Sequence, residues 1–236
     1  LRAPEGITGE TFFQRHAMPG QAHQIKTVTV DREHEPYLQI DEAQTLVLMA
    51  QLSVLEFHPW NCAPYQPHIP GRLVFDLDPA PDVPFAAVID AANELRARLA
   101  KLGLMAYCKT TGGKGLHVVT PLTPDDAMQW PQAKLFAQTI CAQMSNDSPR
   151  LYVIKMTKTL RTGKIYLDYL RNDFAATAVA PLSPRARPGA TVSMPLTWPQ
   201  VNRRLDPRCF TIDSVPVLLA KSKPWDYYAK GARPLK

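Results

Sequence analysis

Two aspartates have the spacing of a metal or acid–base site. Asp76 and Asp78 lie two residues apart in residues 72–78, whose partly alternating pattern predicts a β-strand. Because side chains alternate along a strand, both carboxylates point to one face, and Leu73, Phe75 and Leu77 point to the other face, toward the core. Neighbouring carboxylates repel each other unless a cation lies between them, and Mg²⁺ or Mn²⁺ prefers such oxygen ligands. The alternative is a strand whose polar edge faces solvent.

Asp168 adds a third carboxylate. It lies inside the apolar sequence Ile-Tyr-Leu-Asp-Tyr-Leu, which predicts a strand over residues 164–170. An acid in such surroundings needs a partner or a metal. Three carboxylates on strands could hold two divalent cations, which activate an attacking oxygen and neutralise a leaving phosphate. Pairing with a nearby cation such as Arg171 is the alternative.

A glycine-rich loop, Lys-Thr-Thr-Gly-Gly-Lys-Gly over residues 109–115, lies between two predicted strands. Glycines let backbone N–H groups turn toward an anion, and the lysines and threonines add charge and hydroxyls. The spacing differs from that of a P-loop, and no helix follows it. His117 lies just beyond and could contact a phosphate or accept a proton. A tight hairpin and a structural histidine are the alternatives.

The formal net charge of +6 is unevenly divided along the chain. Residues 1–149 carry 11 Lys/Arg and 16 Asp/Glu, whereas residues 150–236 carry 16 and 5. Cations flank Asp168, and Arg185 and Arg187 lie two apart in a Pro/Gly loop, which suits a triphosphate or a nucleic-acid backbone. A solvated basic face is the alternative. We interpret the two parts as two sides of one cleft that binds a polyanion.

Composition excludes several classes of protein. The apolar share of 45% and charged share of 20% exclude wholesale disorder. The sequence contains neither an apolar run long enough to span a membrane nor a signal peptide. Four scattered cysteines form no C-x-x-C zinc pattern and indicate a reduced, intracellular protein. The start at Leu1 leads us to expect a fragment cut from a longer protein, either a multidomain one or a stand-alone relative.

The elements that must position these residues alternate between strands and helices. The patterns predict helices over residues 41–57 (deeply buried), 85–102 and 131–144, strands over 72–78, 104–108, 116–120 and 164–170, and short helices near 198–204 and 215–221. The prediction is an α+β (α/β) fold with central antiparallel or mixed sheets flanked by helices. No linker divides the chain, so we expect a single domain over residues 1–236.

Several motifs in one order resemble the polymerase domain of bacterial DNA ligase D, a member of the archaeo-eukaryotic primase superfamily. They occupy residues 12–16, 56–60, 76–79, 109–117, 168–172 and 178–190, and the resemblance covers residues 8–228. One departure concerns the glycine loop, where Thr111 and Gly113 stand in place of the serines usual in the family. A K-x-D-G ligase signature is absent from the sequence, so we do not expect nick sealing.

The resemblance implies a nucleotidyltransferase with a primase-polymerase-like catalytic core. Such an enzyme adds nucleotides, often ribonucleotides, to a DNA primer 3′-hydroxyl during end filling and gap filling in bacterial non-homologous end joining. It implies two-metal-ion catalysis with Mn²⁺ or Mg²⁺ and a cytoplasmic, nucleoid-associated location without a membrane partner. The implied partners are DNA ends, gapped duplexes with a 5′-phosphate, nucleoside triphosphates, ligase and nuclease domains of a parent chain, and the end-binding protein Ku.

The resemblance also implies roles for individual residues. Asp76, Asp78 and Asp168 match the catalytic metal ligands. The positions that match nucleotide-binding residues are His58, Thr111, Lys114, His117, Arg171, Arg185 and Arg187. Arg15 and Lys26 fall near positions that hold a DNA 5′-phosphate. Two other functions remain open on the residues alone: a metal-dependent nuclease or phosphohydrolase, and a non-catalytic DNA-end-binding module.

Overall fold

The structure, a computed structural model, describes residues 1–18, 21–30 and 34–235. Its strands are β1 (Lys26–Val28), β2 (Tyr37–Gln39), β3 (Cys62–Ala63), β4 (Gln66–Pro70), β5 (Arg72–Pro79), β6 (Tyr107–Thr110), β7 (Leu116–Pro121), β8 (Tyr152–Val153), β9 (Ile165–Asp168) and β10 (Pro195–Leu196). Its α-helices are α1 (Ala43–Gln51), α2 (Phe85–Lys101), α3 (Trp130–Asp147) and α4 (Ser214–Lys221).

A six-stranded mixed sheet forms the centre of the fold, with the strand order β10-β6-β7-β5-β9-β8. Neighbouring strands run antiparallel except β8 and β9, which are parallel. Two small antiparallel pairs, β1–β2 and β3–β4, lie outside this sheet. The predicted α+β fold with mixed sheets flanked by helices is therefore confirmed.

Helices α2 and α3 cover one face of the central sheet. On β5 the alternating residues Leu73, Phe75 and Leu77 are at most 1% exposed and join the core with apolar residues of both helices. Pro131 lies in the first turn of α3, where its missing N–H costs no hydrogen bond. Burial of this face fixes the register of β5, because a shift by one residue would turn the two aspartates of this strand into the core.

The opposite face of the sheet carries the polar residues. One end of it is apolar, where Val74 and Val119 pack against Trp225 and Tyr228 from the C-terminal segment. The other end carries the aspartates and remains open. Among the described residues, no helix is long and apolar enough to cross a membrane.

The predicted buried helix over residues 41–57 is wrong in length and in burial. Helix α1 ends at Gln51, and only two of its residues are buried, while Val47 is 61% exposed. Ser53 has a φ of +59°, a left-handed conformation that ends the helix. The backbone beyond it pairs with the start of the chain, where Ala3 N–H donates to the Ser53 carbonyl. The apolar run therefore forms a helix followed by extended chain.

Other observed element boundaries differ from the predicted ones by a few residues. The strand predicted over 104–108 is β6, which extends to Thr110, so Lys109 belongs to a strand and the glycine loop is shorter than expected. Strand β9 ends at Asp168, which leaves Arg171 in the following turn. The helix expected near 198–204 is a single 3₁₀ turn, Trp198–Gln200, whereas the one near 215–221 is α4.

Candidate active site

One row of side chains crosses four adjacent strands on the open face of the sheet. Asp168 on β9 lies directly opposite Asp76 on β5, and Asp76 lies opposite His117 on β7. His117 in turn lies opposite Lys109 on β6. Directly paired residues of antiparallel strands project to the same face, so two acids and two bases form a continuous row. Asp78, two residues beyond Asp76, projects to that face as well.

Arg171 bridges the two facing carboxylates. Its Nε lies 3.2 Å from Asp168 Oδ2, and its Nη2 lies 3.5 Å from Asp76 Oδ2. Burial raises the pKa of Asp168, and the charge of Asp76 acts in the same direction. Burial also opposes ionisation of Asp76, but His117, Arg171 and Lys109 outweigh it and lower the pKa of that carboxyl. The pKa values of the two carboxyl groups thus shift in opposite directions, because neighbouring carboxylates repel each other and share the single cation Arg171.

Asp78 is held by cations from two loops. Lys114 Nζ lies 3.3 Å from Asp78 Oδ1 and also donates to the carbonyl of Pro79. Arg161 Nη1 lies 3.5 Å from Asp78 Oδ2, and its guanidinium lies 3.8 Å from the centre of the Tyr166 ring. The glycine loop and the turn before β9 therefore converge on this carboxylate from opposite sides.

The donor chemistry of this cleft fits a hard divalent cation. All three aspartates line a single cleft of about 350 Å³, and carboxylate oxygens suit Mg²⁺ or Mn²⁺. The hydroxyl of Tyr166, which lines the same cleft, is buried and has no hydrogen-bond partner among the described residues. Among the described residues, no three His, Cys, Asp or Glu side chains are arranged so that they could hold a metal ion. Arg171 bridges Asp76 and Asp168 instead, and these two acids together with Asp78 are the residues that would hold a cation.

Lys109 is a member of the row that the sequence analysis placed in the loop. It is 2% exposed, and its Nζ donates to Ser193 Oγ at 2.7 Å. Burial lowers the pKa of Lys109 to about 7. The sequence signal that would have found it is the hairpin itself, because residues paired across β6 and β7 share a face.

His117 is the link between Lys109 and Asp76. Its Nε2 lies 3.4 Å from Asp76 Oδ1, and its buried Nδ1 has no hydrogen-bond partner in the part of the chain that the structure describes. Burial and the charge of Lys109 lower the pKa of His117 to about 4, so the imidazole is neutral near pH 7. A neutral ring that donates from Nε2 to the carboxylate leaves Nδ1 as a buried acceptor.

The glycine loop is held by hydrogen bonds between its own residues. Thr111 Oγ1 donates to the carbonyl of Gly115 and accepts the N–H of Gly113, both at 3.2 Å. Gly112 has a φ of +66°, which a glycine adopts without strain. A Cβ on Gly115 would lie 2.5 Å from the Leu77 carbonyl oxygen, so only glycine fits at this position. The loop is therefore a rigid turn pressed against β5.

A second cluster adjoins the loop and is organised by Glu56, which is 6% exposed. Its Oε2 lies 2.7 Å from His58 Nε2, and its Oε1 lies 3.0 Å from Arg185 Nε. Arg185 Nη1 also donates to the carbonyl of Thr111 at 2.6 Å. Arg187 lies over the loop, since a Cβ on Gly113 would be 2.9 Å from its Nη1.

The structure therefore brings most of the predicted site residues into two adjoining clusters. Those around the acidic cleft are Asp76, Asp78, Asp168, Lys114, His117 and Arg171. Those of the neighbouring wall are His58, Thr111, Arg185 and Arg187. Residues that the sequence analysis did not include are Lys109 and Glu56, which are buried and contact or pair with predicted residues.

Arg15 and Lys26 lie in the N-terminal region. Lys26 on β1 forms ion pairs with Asp41 at 3.2 Å and Glu42 at 2.7 Å. The backbone carbonyl of Arg15 accepts the N–H of Leu38 at 2.9 Å. Within the described part of the chain, neither residue has a hydrogen bond or ion pair with the acidic cleft, so their 5′-phosphate role stays a prediction.

Comparison with known proteins places this geometry in a family. The family model for the LigD primase-polymerase domain matches residues 1–225. The multifunctional non-homologous end joining protein LigD of Pseudomonas aeruginosa is 37% identical over 234 residues, which are 97% of this chain and 28% of that protein. The bifunctional non-homologous end joining protein LigD of Bacillus subtilis is 34% identical over 91% of this chain and 34% of that protein. The chain thus spans about a third or less of the length of these relatives.

A solved structure has the same fold. The polymerase domain from Mycobacterium tuberculosis ligase D, in complex with DNA, superposes with a TM-score of 0.85 at 32% sequence identity. The match covers 94% of this chain and 79% of that domain. An agreement of this extent includes the central sheet and both flanking helices.

Proposed function

Because this chain belongs to the LigD primase-polymerase domain family, we propose that it extends DNA 3′ ends as a nucleotidyltransferase of double-strand break repair. Members of the family are polymerases, and an activity of this class joins a primer 3′-oxygen to the α-phosphate of a nucleoside triphosphate. The observation that carries the proposal is the row of carboxylates on adjacent strands beside a basic wall. A protein that only bound a polyanion would gain nothing from three clustered negative charges.

Asp76, Asp78 and Asp168 would hold divalent cations, with Mn²⁺ or Mg²⁺ as the chemical class that suits their oxygens. When bound, such ions lower the pKa of an attacking hydroxyl and offset the charge of a departing pyrophosphate. The chain's own part is to fix the acids on the open face of a rigid sheet. Arg171, which bridges two of these acids, would contact a phosphate of the substrate.

The basic wall would orient the triphosphate. Lys114 projects from the glycine loop next to Asp78, and Arg185 and Arg187 lie on the same loop from the other side. Thr111 and His58 complete this wall, while His117 reaches the acids from β7. Because these groups are held by backbone and buried contacts, catalysis would consist mostly of positioning and electrostatic stabilisation.

The substrate class would be DNA ends and gapped duplexes with a 5′-phosphate. The similar domain of ligase D from M. tuberculosis is in complex with DNA, which supports this choice. The LigD relatives are non-homologous end joining proteins, so we propose the same pathway here, with ligase and nuclease domains and Ku as partners. We also propose that ribonucleotides are accepted, with Arg15 and Lys26 on the 5′-phosphate.

Primer extension tests the proposal. The substrate is a gapped duplex with a labelled primer and a 5′-phosphate, incubated with Mn²⁺ or Mg²⁺ and either ATP or dATP. The wild-type chain should lengthen the primer. Asp76→Asn and Asp168→Asn should lower the rate by at least about a hundredfold, since each removes a charge that positions the reacting groups.

Asp90→Asn is the matched control, because Asp90 is an exposed carboxylate on α2 with a surface ion pair to Arg203. This variant should extend the primer at the wild-type rate. Full activity of both cleft variants would overturn the proposal. Shortening of the primer instead of lengthening would identify the cleft as that of a nuclease.

A further inference from the structure

We infer that Glu56 is a positioning residue that sets the tautomer of His58 and the direction of Arg185, and thereby shapes the nucleotide pocket. The inference rests on the proposed function, which supplies the ligand of that pocket. Nothing in the sequence motifs gives Glu56 a role of its own. Its carboxylate joins two segments that lie about 130 residues apart in the chain.

The Glu56 carboxylate has a partner for each oxygen. Oε2 faces His58 Nε2 at 2.7 Å, while Oε1 accepts the backbone N–H of Ala186 at 2.8 Å and faces Arg185 Nε at 3.0 Å. Burial opposes ionisation of this carboxyl, but these hydrogen bonds outweigh it and lower the pKa of Glu56 to about 2. A buried carboxylate with three charge-assisted contacts holds its partners far more rigidly than an exposed pair does.

Two other hydrogen bonds hold the same two segments together independently of Glu56. Phe57 N–H donates to Ser183 Oγ at 2.9 Å, and Ala180 N–H donates to the Phe57 carbonyl at 2.8 Å. The backbone of the pocket wall is therefore set without the carboxylate. The additional effect of Glu56 is to orient the side chains of His58 and Arg185.

An ionised carboxylate accepts hydrogen bonds and donates none. The ring nitrogen of His58 that faces Glu56 must therefore carry a hydrogen, which places the donor at Nε2. Nδ1 has no partner within the described chain and is not among its buried unpartnered atoms, so it is open to a ligand. In the neutral ring this nitrogen is an acceptor.

Glu56→Gln reverses this arrangement without a change of shape. The single amide oxygen should take the Oε1 position, because Ala186 N–H donates there and the Arg185 guanidinium lies 3.0 Å away. The amide NH₂ would then face His58 and require Nε2 to accept. In the neutral ring the hydrogen would then lie on Nδ1 and no longer on Nε2.

Two measurements test the inference. Long-range ¹H–¹⁵N correlation spectra of the histidine rings, assigned with a His58→Gln variant, report the tautomer without nucleotide or metal. Steady-state primer extension reports KM and kcat for ATP. Glu56→Gln should move the His58 hydrogen from Nε2 to Nδ1, raise KM about tenfold or more, and change kcat less than about threefold, because it alters nucleotide binding and leaves the cleft carboxylates in place.

Ser183→Ala is the matched control. It removes another tie between the same two segments, the one to Phe57 N–H, and leaves Glu56, His58 and Arg185 in place. We expect an unchanged tautomer and a KM within about twofold of wild type, even if the melting temperature falls as much as in Glu56→Gln.

A double variant separates an effect on side-chain orientation from an effect on folding. In a His58→Ala background, Glu56→Gln should raise KM by a smaller factor than it does alone, because part of its effect passes through the ring. An unchanged His58 tautomer in Glu56→Gln, or equal KM increases in Glu56→Gln and Ser183→Ala, would overturn the inference. If the wild-type chain fails to extend a primer, the proposed function fails, and the tautomer measurement still decides the role of Glu56.

Discussion

The buried lysine of the cross-strand row makes a prediction about stability and pH. Lys109 lies 2% exposed beneath the open face, and its pKa is lowered by burial to about 7 from an ordinary value of 10.5. Below pH 7 both the native and the unfolded chain carry this proton, so the cost of burying the charge is fully present. As pH rises from 7 toward 10.5, the native state releases a proton that the unfolded state retains, and stability increases.

The size of this effect follows from the two pKa values. Over the whole window the gain is about 4 to 5 kcal/mol, since each pKa unit corresponds to about 1.4 kcal/mol. Between pH 6 and pH 9 the expected gain is about 2 to 3 kcal/mol in the free energy of unfolding. Lys109→Met keeps the length of the side chain and removes the titration. The variant should lack this gain and should be more stable than wild type at pH 6.

Urea denaturation followed by circular dichroism at pH 6, 7, 8 and 9 measures the effect. Other titrating groups contribute to both curves, so the difference between variant and wild type isolates Lys109. Lys101→Met serves as the control, because Lys101 is an exposed residue at the end of α2. We expect this control to follow the wild-type curve.

Parallel wild-type and Lys109→Met curves between pH 6 and pH 9 would refute the reasoning. They would mean that Lys109 keeps its proton in the native state throughout this range. The ion pairs of the row with Asp76 would then outweigh the cost of burial.

Three further predictions concern the frame of the site. Gly115→Ala should destabilise the chain by about 1 to 3 kcal/mol, since the new Cβ would meet the Leu77 carbonyl at 2.5 Å; a thermal melt within 1 °C of wild type would contradict this. Asn172→Ala should cost about 2 to 4 kcal/mol in urea unfolding, because Asn172 is fully buried and satisfies both backbone groups of Val74; Asn172→Asp, which keeps only the acceptor, should not restore stability. Arg185→Lys should raise KM for ATP about tenfold in primer extension, since one ammonium cannot reproduce both guanidinium contacts; an unchanged KM would show that those contacts do not serve the nucleotide.

Much of the fold was predictable because its elements have strong local patterns. The alternation in β5 and the repeat in α2 appear in the structure with boundaries within about one residue. The prediction of a helix over residues 41–57 failed because the apolar run continues beyond the end of the helix, where tertiary contacts determine the backbone conformation. The chain start pairs with residues 53–56 there, and a sequence pattern does not report a pairing across some fifty residues.

The candidate site was predictable in its acids and in its basic loops. Asp76 and Asp78 share a face because of their spacing, and Asp168 joins them because β9 pairs with β5 in one register. That register is a property of the folded sheet. The short strands β8 and β10 and the N-terminal pair β1–β2 were missed, since two or three residues carry too little pattern.

The sequence by itself determined which chemical groups are present and which of them share a strand face, because side-chain alternation is a local property of the backbone. It also carried the ordered motifs that the family shares. Only the tertiary structure decided that Arg171 bridges two acids, that Lys109 is buried, and that Glu56 joins His58 to Arg185. Burial and long-range pairing depend on how strands and loops far apart in the chain come together. These contacts determine the charge, the tautomer and the orientation of the side chains at the site.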